Sequence, residues 1–172
     1  MASYIYALPS ARLWGLFGTE VLSGWQINGL TILGGGSPFT ITSGTDENLD
    51  GTTNDRPNQV GNPVISGAQS RVQKISGFFN KAAFAAVPAG TAYGNVSRAS
   101  LLGPPQYDTD LALFKTFHLY KEHAILFRAE AFNAFNYVNL NNPNGVMTNA
   151  KFSTITGAGA PRIFQFALRY SF

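Results

Sequence analysis

The ten residues Ile163-Phe164-Gln165-Phe166-Ala167-Leu168-Arg169-Tyr170-Ser171-Phe172 close the chain, and the rest of the sequence is best understood from them. Phe164, Phe166, Leu168, Tyr170 and Phe172 recur at every second position, with Gln165, Arg169 and Ser171 between them. A β-strand points successive side chains to opposite faces, so this stretch as a strand has one aromatic, apolar face and one mostly polar face. A half-buried strand of a water-soluble domain has the same pattern. This run, however, ends on Phe172 without a polar tail, whereas the termini of soluble domains usually fray into water. The expectation is a strand whose two faces meet two different solvents.

Composition extends that expectation. Charged residues are 12% of the chain, about half of the roughly 25% found in soluble domains. Eighteen Gly and nine Pro point to many turns, and fourteen Phe with seven Tyr favour strands over helices. A single domain spanning 1–172, large enough to bury a core, is expected at this length. The net charge of +3 is spread along the chain without a Lys/Arg run, so nucleic acid is not an expected partner. The absence of cysteine excludes disulfides and thiolate metal sites. No basic region followed by an apolar run opens the chain, so an export signal is expected on a longer sequence. No segment reaches the ~18 apolar residues of a membrane helix, so a membrane role has to be played by strands.

Ala2 to Leu8 reads as a strand that Pro9 ends, because proline lacks the N–H of a ladder. Ser10 to Ser23 has no clear pattern. Gly24 to Leu33 alternates around Trp25 and Ile27, is interrupted by Gly34-Gly35-Gly36-Ser37-Pro38 and resumes over Phe39-Thr40-Ile41-Thr42, as a bulged or broken long strand would. Over about 43–107 the pattern gives way to a long loop rich in Gly, Asn, Pro, Ser and Ala. Such loops are uncommon inside compact soluble domains and normal on outer-membrane barrels. Leu111, Leu113, Phe117 and Leu119 then share a face with Lys115, opposite Asp108, Asp110, Thr116 and His118. After the polar turn Lys121-Glu122-His123, Ile125, Phe127, Ala129 and Ala131 alternate with Arg128 and Glu130, giving a hairpin. A second loop, Asn136 to Ala160, precedes the final strand. The fold class is therefore expected to be all-β: an antiparallel meander of about five strands with long loops, like a segment of an outer-membrane β-barrel.

Several motifs occur in a fixed order: Ser3-Tyr4-Ile5-Tyr6-Ala7-Leu8-Pro9, Gly24-Trp25-Gln26-Ile27-Asn28-Gly29, Gly36-Ser37-Pro38-Phe39-Thr40-Ile41, Asn54-Asp55-Arg56-Pro57-Asn58, Phe79-Asn80-Lys81-Ala82-Ala83-Phe84, Phe127-Arg128-Ala129-Glu130-Ala131-Phe132-Asn133-Ala134-Phe135-Asn136 and the Phe-terminated strand. Together they resemble the C-terminal barrel portion of TonB-dependent outer-membrane receptors, especially Oar-like receptors with a carboxypeptidase-regulatory-like domain. The resemblance implies uptake of a bulky nutrient, powered through TonB. No plug domain or TonB box is legible in these residues. Five strands are about a quarter of a ~22-stranded transporter barrel, so the resemblance is to part of a receptor.

Asp46-Glu47-Asn48-Leu49-Asp50-Gly51 places oxygen-bearing side chains at relative positions one, three and five and glycine at six, the opening of a calcium loop. Pro57 stands where an EF-hand carries its bidentate Glu. Asp46, Asn48 and Asp50 are thus candidate calcium ligands, the plainer reading being a solvated turn rich in Asp and Asn. Asp55 and Arg56 are placed to pair. Arg128 and Glu130 are expected to form a polar ladder with neighbouring strands, with Asp108, Asp110 and His118 placed to oppose them. Phe78, Phe79 and Tyr93 are loop aromatics that could stack on sugars. There is no Gly-x-Ser-x-Gly elbow, two histidines are too few for a zinc site, and Gly34-Gly35-Gly36 is no phosphate loop.

Two functions follow as expectations. In the first, the chain is part of a receptor barrel in the bacterial outer membrane, with lipid-facing aromatics and outer loops that touch substrate. In the second, unpaired strand edges and the apolar face are hidden by symmetric self-association, giving a soluble homo-oligomer that binds or hydrolyses carbohydrate. Asp46, Glu47, Asp50, Asp55 and Glu130 are then the candidate acid/base residues of a glycoside hydrolase. Catalysis is the lesser expectation, and calcium is the one candidate cofactor.

Overall fold

The computed structural model describes residues 1–9, 21, 23–88, 90–91 and 93–172. The unassigned stretch from Ser10 to Ser23 lies almost wholly outside them. In chain order the elements are β1 (Ala2–Ala7), β2 (Trp25–Gly34), β3 (Pro38–Phe39), β4 (Asn58–Gln59), α1 (Arg71–Ser76), a 3-10 turn (Lys81–Ala83), β5 (Phe84–Ala85), β6 (Leu101–Leu102), β7 (Gln106–His118), β8 (Ala124–Phe132) and β9 (Ile163–Ser171). Among the described residues no helix is long and apolar enough to cross a membrane. The described residues form two compact units, one of 1–33, 107–138 and 160–172, the other of 34–106 and 139–159.

The first unit is the expected antiparallel meander, in spatial order β1-β2-β7-β8-β9. Its registers confirm the two-faced pattern. Lys115 pairs with Phe127 and Phe127 with Leu168, Leu113 with Ala129 and Ala129 with Phe166, and Phe117 with Ile125 and Ile125 with Tyr170. Directly opposed residues share a face, so these side chains form one continuous, mostly apolar surface. Between them, Ala112, Glu130 and Gln165 line up on the other face, as do Thr116, Leu126 and Arg169. The hairpin turn from Leu119 to His123 is closed by the Leu119 amide donating to the His123 carbonyl at 2.9 Å. β8 stops at Asn133, whose φ of +48° leaves the strand region. Its side-chain amide donates to the Tyr137 carbonyl at 2.8 Å, and its Oδ1 accepts the Tyr137 amide at 2.9 Å. Asparagine tolerates the left-handed conformation and caps its own turn, which accounts for the Phe-Asn-Ala-Phe-Asn motif. β1 and β9 are the two edges of this sheet, and it does not close on itself.

The long strand around Gly34 is broken. β2 runs to Gly34, whereas Pro38–Phe39 pairs with Leu101–Leu102 in a separate two-stranded sheet. Gly36 between them has φ +96°, and a Cβ there would collide with the Gly103 carbonyl.

The long loop expected over about 43–107 falls mostly within the second unit, which has a core of its own. Ile41, Phe79, Ala83, Phe84, Val96 and Phe152 form it. Phe79 meets Phe152 edge-on at 5.1 Å between ring centroids, and Phe84 at 5.7 Å. Phe152 belongs to the second loop, which is held to the first by the Thr42 amide on the Gly145 carbonyl and the Met147 amide on the Thr42 carbonyl, both 2.9 Å. α1 carries a capping box between Ser70 and Gln73.

Candidate functional site

The sheet unit holds an open, mostly apolar cavity of about 570 Å³, in which Ser3, Asn28, Asp110 and Glu130 are set among Tyr4, Ile5, Leu30, Leu111 and Phe132. Glu130 does not join the expected cross-strand ladder. It is ion-paired with Arg128 on its own strand, and the Arg128 guanidinium lies 5.4 Å from the Phe114 ring centre. Asp110 Oδ1 accepts the Asn133 amide at 2.9 Å and so helps to end β8. Asp108 Oδ1 is buried without a hydrogen-bond partner. His118 lies at the far end of β7, paired with Ala124, and does not oppose the Arg128–Glu130 pair.

The apolar face of the same unit carries aromatic groups near both ends of its strands. Where the short turn lies, Trp25 meets Phe117 and Phe127 edge-on at 6.3 and 5.9 Å, and Tyr170 stacks on His123, with its hydroxyl 2.6 Å from Nδ1. At the other end Tyr137 lies 6.0 Å from Tyr107 and 6.1 Å from Phe135. Among the described residues, Lys115 is the one charged residue at the centre of this face. It is 3% exposed, its Nζ donates to the Ser23 carbonyl, and it lies 4.9 Å from the Phe117 ring centre.

The other four predicted carboxylates belong to the second unit. Asp46 accepts the amides of Asp50 (3.0 Å) and Gly51 (2.8 Å), while Asn48 Oδ1 also accepts from Asp50 (3.0 Å) and Asp50 Oδ1 from Thr52 (2.9 Å). The sequence-predicted calcium ligands are thus brought together in one turn, with their oxygens directed at backbone N–H groups. No set of three or more His, Cys, Asp or Glu side chains among the described residues is arranged to hold a metal ion. Hydrogen bonds from the Thr52 hydroxyl, the Asn48 amide and the Thr52 backbone hold the Asp50 carboxyl below the usual carboxylate range. A carboxyl held ionised accepts hydrogen bonds well and is a poor general acid.

Asp55 does not pair with Arg56. It is 4% exposed, and its Oδ2 accepts the amides of Glu47 (2.6 Å) and Asn48 (3.0 Å). Arg56 Nη1 instead donates to the Val96 carbonyl at 2.9 Å. Glu47 is 8% exposed and accepts from the Thr45 hydroxyl at 2.5 Å. Asp50, Asp55, Arg56, Asn54, Tyr93 and Arg98 share a polar cleft of about 490 Å³. Of the three loop aromatics, Phe79 is buried in the core and Phe78 packs against it, leaving Tyr93, 61% exposed, in the cleft. Arg98 has no signal in its local sequence. It lines the cleft two residues after Val96, which is buried in the core.

A family model described as an outer membrane beta barrel domain matches residues 1–165. No curated protein and no solved structure matches the chain.

Proposed function

Because the chain belongs to the outer membrane beta barrel domain family, and so to a barrel protein of the bacterial outer membrane, we propose that it forms part of the wall of a TonB-dependent receptor for nutrient uptake. The observation that carries this reading is the division of the sheet into an apolar face with aromatics near both ends and a polar face bearing Asp110, Arg128, Glu130 and Arg169. A barrel wall needs that division between lipid and an aqueous lumen. From Tyr107 to Phe117, on one face of β7, is roughly 33 Å of strand at about 3.3 Å per residue. A tilt of about 40° reduces this to about 25 Å, the height of a barrel's apolar band.

Both long excursions, 35–105 and 133–162, leave and rejoin the sheet at the strand ends opposite the short Leu119–His123 turn. Outer-membrane barrels have short periplasmic turns and long extracellular loops, so these excursions are the substrate-contacting side. The ordered motifs of the receptor family supply the TonB-dependent part of the reading.

The test is uptake of a panel of labelled oligosaccharides by the bacterium that encodes the chain. Accumulation that requires this chain and stops both on removal of TonB and on collapse of the proton-motive force supports the reading. Accumulation that persists under both treatments identifies a passive pore instead.

A further inference from the structure

We infer that the apolar face of the sheet unit holds a site for one anionic phospholipid, with an acyl chain lying in a trough along β8 and the phosphate on Arg162. The inference rests on the reading of this face as the lipid side.

The trough follows from the register. Leu111, Ala131 and Phe164 form one cross-strand row, and Leu113, Ala129 and Phe166 form the next. In both rows the middle strand contributes alanine and its neighbours contribute large side chains. Ala129 and Ala131 are therefore the floor of a channel along β8, with two leucines as one wall and two phenylalanines as the other. Together with Ile27 these residues line a cavity of about 310 Å³ whose surface is almost wholly apolar. The next row, Lys115, Phe127 and Leu168, puts a ring on the middle strand and ends the floor. β7 and β9 stand about 9.6 Å apart across β8, at about 4.8 Å per strand. Their side chains narrow that gap, so one alkyl chain fits between them, whereas a helix, about 10–12 Å across, does not.

The open end of the trough carries a cation. Arg162 precedes β9 at the parity of Phe164 and Phe166, and its guanidinium lies 5.1 Å from the Phe164 ring centre. Its Nη1 donates to the Ala134 carbonyl at 3.2 Å, which holds the group beside the end of β8 while the side chain stays exposed. The two rows bring no carboxylate to this face. Asp110 and Glu130, the acids of the adjoining strand stretches, take the alternate positions of the other face, where Glu130 is ion-paired with Arg128.

The depth of the cation decides the ligand. Arg162 lies at the strand end that carries Tyr107, Phe135 and Tyr137, the level at which aromatic girdles meet lipid headgroups. From Arg162 to Phe166 is about 13 Å of strand, so the trough descends from that level towards the middle of a ~25 Å apolar band. A free anion would leave this channel empty, and an uncharged lipid would leave the guanidinium without a counter-charge. An anionic phospholipid fills both at once.

The experiment is electron spin resonance of the full chain in liposomes, with phosphatidylglycerol and phosphatidylcholine of identical chains each carrying an acyl-chain nitroxide in turn. Phosphatidylglycerol is expected to associate about fivefold more tightly, as one basic residue beside an anionic lipid provides. Arg162→Gln, and Ala131→Phe, which fills the trough, are each expected to reduce that preference to less than about twofold. Arg169→Gln, on the opposite face, is expected to leave it unchanged. An unchanged β-type circular dichroism spectrum shows that the variants fold. Equal association of the two lipids, a preference that survives either of the first two substitutions, or one lost equally with Arg169→Gln overturns the inference. In those outcomes both lipids are still motionally restricted, so the lipid-facing reading stands. Restriction of neither lipid overturns that reading and the inference with it.

Discussion

The phenol ring of Tyr4 occupies the space above Gly29, its antiparallel partner across β1 and β2, where a Cβ on Gly29 would stand. A glycine inside a strand costs entropy and leaves a gap in the face, and an aromatic ring on the neighbouring strand fills that gap. Gly29→Ala therefore has to push the Tyr4 ring aside, and the lost ring contact is expected to outweigh the better strand preference of alanine by only about 1 kcal/mol or less. Urea unfolding from micelles measures this. In a Tyr4→Ala background the penalty is expected to shrink, which a double-mutant cycle detects as non-additivity.

Lys115 sits on the apolar face with its charge between the Phe117 and Trp25 rings, 4.9 and 5.7 Å from their centres, and its ammonium on the Ser23 carbonyl. Lys115→Met keeps the length of the stem and removes the charge. The loss of a cation–π contact and one hydrogen bond predicts destabilisation of about 1–3 kcal/mol, read from the same urea midpoint. A gain in stability would show that the charge is a net burden on the face.

Ser153 is fully buried, and its hydroxyl donates to the Phe79 carbonyl at 2.7 Å while accepting the Phe79 amide at 2.9 Å. Ser153→Ala leaves both buried backbone groups without that partner. The expected cost is about 1–3 kcal/mol, confined to the second unit. Hydrogen exchange should show faster exchange at Phe79 and its neighbours, with β7 and β8 unaffected.

The pH behaviour of the Asp46–Thr52 turn follows from Asp50, whose carboxyl is lowered by hydrogen bonds from Thr52 and Asn48. A group with a lowered folded pKa takes up its proton more readily unfolded, so its contribution is present above the unfolded value of about 3.9 and lost as pH falls through the folded value. Carbon-detected NMR titration should place the Asp50 midpoint below that of an ordinary aspartate, with the turn loosening as pH falls through it. Asp50→Asn should remove that acid dependence.

The sheet was legible because each strand repeats with period two and each face has one chemistry. Phe164, Phe166, Leu168 and Tyr170 announce β9, and the same alternation finds β7 and β8. The second unit was hidden because its core is assembled from residues without a period. Ile41, Phe79, Phe84, Val96 and Phe152 are held by turns and by contacts between distant segments. The same reason explains the Asp55–Arg56 pairing that fails. Neighbouring charges suggested an ion pair, but the Glu47 and Asn48 amides, brought in by the fold, claim the carboxylate. Tyr93 was visible as one of several loop aromatics, and only its exposure separates it from Phe78 and Phe79.

The direct measurement is a nitroxide accessibility scan of β9 in liposomes. The chain has no cysteine, so single cysteines can be placed from Phe164 to Ser171 one at a time and labelled without background. Labels at 164, 166, 168 and 170 are expected to be reached by oxygen dissolved in lipid, and labels at 165, 167, 169 and 171 by a water-soluble nickel chelate. Equal access of the nickel chelate to both sets would contradict a strand that separates lipid from water.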